Sequence, residues 1–279
     1  MIIDTHCHVL PPEIQRRRAD LLAQDATFGA LFAKPGSAMA GVTELIQAMD
    51  RDGVSRSVIM GIGWATQDLA RESNDYLIDS ALAHKGRLSA FCSLNPAWGD
   101  AAVLELERCA KGGAVGIGEL HADSQGFDIT DKVRMEPVMD AARRLSLPVL
   151  VHASEPVGHQ YAGKGETTPG KLYRFIENFP DNVIICAHWG GGLPFYALMP
   201  EVPEAIKNVY FDTAVSPFLY RPQVVRTVVD LIGSDRILFG TDFPLIQPKR
   251  LLRYVDEAAL EQPTHDAILG GNAARLFGL

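Results

Sequence analysis

The chain lacks the features that would give it a covalent framework, a membrane anchor or a polyanionic partner. Its four cysteines, Cys7, Cys92, Cys109 and Cys186, are widely scattered and form no Cys-x-x-Cys pair, which excludes a zinc ribbon and a disulfide scaffold. Cys92 and Cys186 fall inside apolar runs, where reduced thiols behave as small buried hydrophobes. No apolar run is long enough to span a bilayer, and Met1 leads directly into a strand pattern instead of a basic segment with a hydrophobic signal core. A cytoplasmic location is therefore expected. Positive charge is scarce too: 26 basic against 34 acidic residues leave a net charge of −8, which argues against nucleic acid or an anionic membrane as the main partner. There is no low-complexity tract, no internal repeat of fixed period and no Pro/Gly/Ser-rich linker.

What is present is a regular alternation. At 279 residues with 47% hydrophobic content the chain can bury a large core. Eight β-branched runs are expected as strands, at Ile2–His8, Ser57–Ile62, Leu88–Leu94, Ala114–His121, Pro148–Ser154, Asn182–His188, Val209–Ala214 and Arg236–Asp242. Segments of helical pattern follow them, at Thr43–Arg51, Gln67–Lys85, Asp100–Lys111, Asp131–Leu145, Thr168–Asn178, Pro194–Lys207, Pro222–Ile232 and Pro248–Leu260. Eight such units are the count that closes a (β/α)8 TIM barrel as a single α/β domain over residues 1–279. A doubly wound open sheet shares the local pattern but predicts a glycine-rich phosphate turn after its first strand, where this chain has His6-Cys7-His8. About residues 9–42 form an insertion after strand one, and its Arg16-Arg17-Arg18 run reads as a solvated helix face.

Polar residues gather where barrel enzymes keep their chemistry, at the carboxyl ends of strands. In Asp4-Thr5-His6-Cys7-His8, alternation puts Asp4, His6 and His8 on one face as a metal grip. Strand four closes on Glu119-Leu120-His121, strand five on His152, strand six on His188 and strand eight on Asp242. Each alone has a dull explanation, but their joint placement at one end of a barrel points to a site. Imidazoles and carboxylates suit a divalent ion such as Zn²⁺, whose bound water ionises near pH ~7. Asp242, on the strand that neighbours strand one in a closed barrel, can reach both an ion and its water. His188 can polarise a substrate oxygen. Trp64, His121, Trp189 and Gln160 are the candidate substrate-binding residues, with Tyr161 and Lys164 as further polar groups of the fifth loop. His84, His159 and His265 lack such placement.

The strings Asp4-Thr5-His6-Cys7-His8, Val151-His152-Ala153, Ala187-His188-Trp189-Gly190-Gly191 and Phe239-Gly240-Thr241-Asp242-Phe243-Pro244 span the whole chain. In them the sequence resembles the amidohydrolase superfamily, and within it the amidohydrolase-related branch that includes aminocarboxymuconate-semialdehyde decarboxylase and aromatic-acid decarboxylases. The resemblance implies a barrel holding one or two divalent ions, with His6, His8 and His152 as ligands and Asp242 as ligand and proton shuttle. His188 is then catalytic in a mononuclear site or a ligand in a binuclear one. Glu119 stands where binuclear members often place a bridging carboxylate; it could bridge two ions, bind one, or hold the water network. The resemblance also implies dimers as a common assembly. Two reactions on a small-molecule substrate use this set. Hydrolysis of an amide, ester or lactone by metal-bound hydroxide is preferred because a strand-four carboxylate is natural in hydrolytic members; non-oxidative decarboxylation of a small carboxylic acid is the alternative. A scaffold that has lost turnover predicts a damaged set, and this set is intact.

Overall fold

The β-branched and aliphatic runs form β1 (Ile3–His8), β2 (Arg56–Met60), β3 (Leu88–Cys92), β4 (Gly116–Leu120), β5 (Val149–Val151), β6 (Ile184–Cys186), β7 (Val209–Asp212) and β8 (Ile237–Leu238) in a computed structural model that describes residues 1–279. All neighbours pair in parallel, in chain order. β8 itself is two residues long, but the segment after it runs beside β1 and closes the ring. Thr5 N–H donates to the Phe239 carbonyl at 2.8 Å, Asp242 N–H to His6 at 2.9 Å, and His8 N–H to Phe243 at 2.7 Å. The result is a single-domain α/β TIM barrel.

Two cores hold it. Between sheet and outer helices, 59 buried residues form one continuous apolar layer, the consequence of strands buried on both faces. Inside the barrel, Ile3, Val58, Met60, Phe91, Leu150, Ile185 and Leu238 fill the interior, and Phe277 of the C-terminal helix (Asn272–Phe277) packs edge-on against Phe91. The barrel is therefore packed beneath its carboxyl end. Gly116 makes this possible, since a Cβ there would sit 2.4 Å from the Phe91 ring.

Differences from the sequence pattern have local causes. The insertion after β1 is largely helical, with turns at Pro12–Arg16, Arg18–Gln24 and Ala26–Phe32 around their own small core of Leu10, Ile14, Leu21 and Phe28. The arginine run is not a purely solvated face: Arg17 makes a two-pronged ion pair with Glu72 at 2.6 and 2.7 Å, and Arg18 donates to the carbonyls of Phe32 and Lys34. The helix expected at Pro194–Lys207 is broken. Trp189 through Gly192 adopt left-handed φ in a tight 3-10 stretch (His188–Tyr196), and only Glu201–Ala205 is α-helical. Gly191 explains the need for this compaction, because a Cβ there would lie 2.4 Å from the Ser154 carbonyl oxygen. No helix is long and apolar enough to cross a membrane.

Candidate metal centre and active site

The strand ends converge as the pattern requires, with one exception on β1. A register shift between Asp4 and Cys7 breaks strict alternation. Asp4, expected on the metal face, instead accepts from Thr241 N–H at 2.9 Å and Thr241 Oγ1 at 2.6 Å. It ties β1 to the turn that presents Asp242, whose backbone sits at φ 63°.

His6 and His8 meet directly. Their Nε2 atoms are 3.0 Å apart, while His6 Nδ1 donates to the Asp212 carboxylate at 2.8 Å and His8 Nδ1 donates to the Gly61 carbonyl at 2.7 Å. Both partners are acceptors, so each neutral ring carries its proton on Nδ1 and turns its Nε2 lone pair toward the other. A contact that short is closed by a proton shared between the two rings, or by a cation that takes its place. The adjoining donors suit a cation: Glu119 Oε2 lies 3.6 Å from His8 Nε2 and 3.9 Å from His6 Nε2, and Asp242 Oδ1 lies 3.2 Å from His8 Nε2. A second group shares the same glutamate through its other oxygen. Glu119 Oε1 is 3.1 Å from His152 Nδ1 and 3.5 Å from His188 Nε2, and the two imidazoles are 3.2 Å apart. His6, His8 and Glu119 thus form one potential ligand triad, and Glu119, His152 and His188 another.

The field favours positive charge at the two triads. Burial pushes the His6 imidazole down, but Asp212, with help from Glu119 and Asp242, lifts it to about 10. Burial likewise works against His188, which Glu119 and the other carboxylates raise to about 9. Burial would raise the two carboxyls, yet His152 holds Glu119 well below the ordinary range, and His8 and His6 hold Asp242 near 2. Carboxylates kept ionised around nitrogen lone pairs are the donor set of a divalent metal site.

Above this floor lies a cavity of about 500 Å³, within the usual range for small-molecule sites, roughly 300–1,000 Å³. Phe32, Ile62, Phe218 and Leu219 supply apolar wall; His8, Glu119, His152, His188 and Asp242 supply the polar end. His121 also lines it, but both of its ring nitrogens are engaged, with Gly163 O at 2.9 Å and Ser124 Oγ at 2.9 Å. Its ring stacks on His152 with centroids 4.1 Å apart. Burial and repulsion from His152 lower it to about 4, so it is a neutral buttress linking a metal-facing imidazole to the loop after β5.

Three expected substrate contacts lie elsewhere. Trp64 is fully buried and stacked on Phe28 in the insertion core, and Trp189 is fully buried with its indole N–H on Ser216. Gln160 does not line the cavity, although His159 and Tyr161 beside it do. Lys164 is likewise absent from the lining; its ammonium is held by the Val157 and His159 carbonyls. Both tryptophans are the size of substrate platforms, but their positions serve packing. Asp212 was not singled out by sequence. It closes β7, orients His6, and accepts from the backbone N–H groups of His188 and Ala214 at 2.8 and 3.0 Å; the signal was a carboxylate ending the apolar run Val209-Tyr210-Phe211.

Comparison with known proteins gives the family. A family model described as amidohydrolase matches residues 3–279. Gamma-resorcylate decarboxylase of Polaromonas sp. strain JS666 is 24% identical over 288 residues, covering 84% of this chain and 86% of the relative. The 2-amino-3-carboxymuconate-6-semialdehyde decarboxylase of Dictyostelium discoideum is 23% identical over 332 residues, covering 99% and 91%. Among solved structures, 5-carboxyvanillate decarboxylase from Novosphingobium aromaticivorans, complexed with manganese and 4-hydroxy-3-methoxy-5-nitrobenzoic acid, superposes with a TM-score of 0.82 at 18% identity, covering 100% of this chain and 96% of that one. These relatives overturn the preference for hydrolysis. The physical reason is that Glu119 and the imidazoles serve either reaction, so a strand-four carboxylate did not discriminate between them. The expected zinc is also not what that structure contains.

Proposed function

The chain belongs to the amidohydrolase family, and on that premise we propose that it is a metal-dependent, non-oxidative decarboxylase of a small aromatic carboxylic acid. The observation that carries this reading is an imidazole–carboxylate floor under an apolar, aromatic-walled cavity, in a chain whose named relatives are decarboxylases. His6, His8, His152, Glu119 and Asp242 would hold the ion; the mixed set accommodates zinc or manganese, and manganese, present in the 5-carboxyvanillate decarboxylase structure, is the choice here. A bound divalent cation supplies an electrophilic anchor for the substrate's carboxylate and the oxygen beside it.

The residues of the chain do the rest. Asp212 and the Gly61 carbonyl fix the His6 and His8 rings, so the cluster is preorganised. The apolar walls hold the ring flat and keep water out. Asp242 and His188 both line the cavity and are the proton-handling pair. A proton is delivered to the ring carbon that bears the carboxylate; the carbon–carbon bond then breaks, its electron pair restores the aromatic ring, and carbon dioxide departs. The test is carbon dioxide release from a panel of hydroxylated benzoates by the manganese-loaded protein in deuterated water. Expected are gas release and one deuterium at the vacated ring position, with Asp242→Asn lowering kcat by about 10²–10⁴-fold. Absence of gas from every acid in the panel would overturn the reading.

A further inference from the structure

We propose that Lys34 determines specificity for a second acidic group on the substrate, at the end that faces the cavity mouth; this rests on the aromatic-acid reading above. Of the 21 residues lining the cavity, Lys34 is the only lysine or arginine. Its position is built, not incidental. Arg18 Nη2 donates to the carbonyls of Phe32 at 2.7 Å and Lys34 at 2.6 Å, and Ser37 Oγ donates to the same Lys34 carbonyl at 2.9 Å. The backbone is thus clamped beside the opening while the ammonium has no hydrogen bond or ion pair within the chain. The lysine of the facing loop differs: Lys164 is spent on the Val157 and His159 carbonyls.

Charge counting says what Lys34 is for. Glu119 and Asp242 are the carboxylates on the lining, and their two negative charges offset a divalent cation. Lys34 is then the only permanent positive charge among the lining side chains. It is exposed, whereas Glu119, His188 and Asp242 are buried, so it marks the solvent end of a slot whose other end holds the reacting carboxylate. The wall between, with Leu31, Phe32 and Phe218, is apolar, and of the polar groups on the facing loop Tyr161 is spent on Glu155, which leaves Lys34 and the exposed His159 ring as the donors at the mouth.

Salicylate and 4-hydroxyisophthalate differ by one carboxylate, meta to the shared carboxylate and para to the hydroxyl, and make the probe pair. Calorimetric Kd and steady-state KM are measured for both with the manganese-loaded wild type, Lys34→Met and Lys34→Arg. Because the ammonium holds no part of the fold, Lys34→Met should fold normally. Wild type should favour 4-hydroxyisophthalate, and the affinity ratio should fall about tenfold in Lys34→Met, through KM more than kcat, and return in Lys34→Arg. An unchanged ratio, an effect confined to kcat, or no preference in the wild type overturns the proposal. The two readings fail separately: Lys34-dependent binding without gas release removes the decarboxylase assignment alone, and gas release with an unaltered ratio removes the Lys34 assignment alone.

Discussion

Asp212 shows how much of a site can hang on a residue that touches no substrate. One of its oxygens fixes the His6 ring, and the other accepts from the backbone of His188. Replacing it with asparagine keeps the shape but removes the charge that orients His6. Asp212→Asn should weaken manganese binding by about 10–100-fold, read by titrating metal-stripped protein, with kcat/KM falling in step. At this scale the sequence was legible at most titratable residues that close an apolar strand, as with Glu119, His152, His188 and Asp242, though Asp212 closes one in the same way and was passed over. It misled where burial and size are confounded: Trp64 and Trp189 have the chemistry of ring platforms, and only the three-dimensional packing shows them inside the core. Asp4 misled for another reason, since a register shift in β1 is set by its partner strand and not by its own alternation.

Elements are latched to one another by polar networks with as much consequence as the apolar layer. Asn74 on the helix Gln67–Ala83 donates to the Ser93 carbonyl and to Glu105, and accepts from Ser93 N–H; Arg108 closes the set with two bonds to Glu105. This binds the end of β3 to both flanking helices. Burial alone would raise the Glu105 carboxyl, but Arg108 and Asn74 hold it below its ordinary 4.5. The sign follows: stability from this ion is fully present above pH about 4.5 and is lost as pH falls through the lower folded value. Glu105→Gln should therefore cost about 2 kcal/mol, a Tm drop of about 4 °C at pH 7, with the gap to wild type closing below pH ~4 in thermal melts. The strand–helix alternation was readable because period-2 and period-3.6 patterns are local. The broken Pro194–Lys207 helix was not, because the contact with the Ser154 carbonyl that compacts Gly191 comes from a distant strand.

For the whole molecule, the centre joins six strands. β1, β4 and β7 and the residues following β5, β6 and β8 bring His6, His8, Glu119, Asp212, His152, His188 and Asp242 to one end of the barrel, so a cation there binds the native ring and not the unfolded chain. Stripping the metal with a chelator should lower Tm by about 5 °C relative to protein held at a hundredfold excess over Kd. Elemental analysis of Glu119→Ala separates the arrangements: loss of part of the metal content marks a shared ligand between two ions, and loss of all of it marks a single ion. Fold class was legible as a count of eight units, and family membership followed from motifs spread over the full length. The reaction was not legible, because it depends on what lies opposite the ligands in the cavity, and those residues come from the insertion and from the loops after β5, β7 and β8.

The plugged interior has a bearing on traffic. With Phe91, Leu150, Ile185 and Phe277 stoppering the amino-terminal end, whatever reacts over the imidazole–carboxylate floor enters and leaves from the loop side. In such a one-door chamber, alterations to the turn at residues 33–38 or to the segment around Tyr161, both on the cavity lining, should change throughput without altering which atoms react.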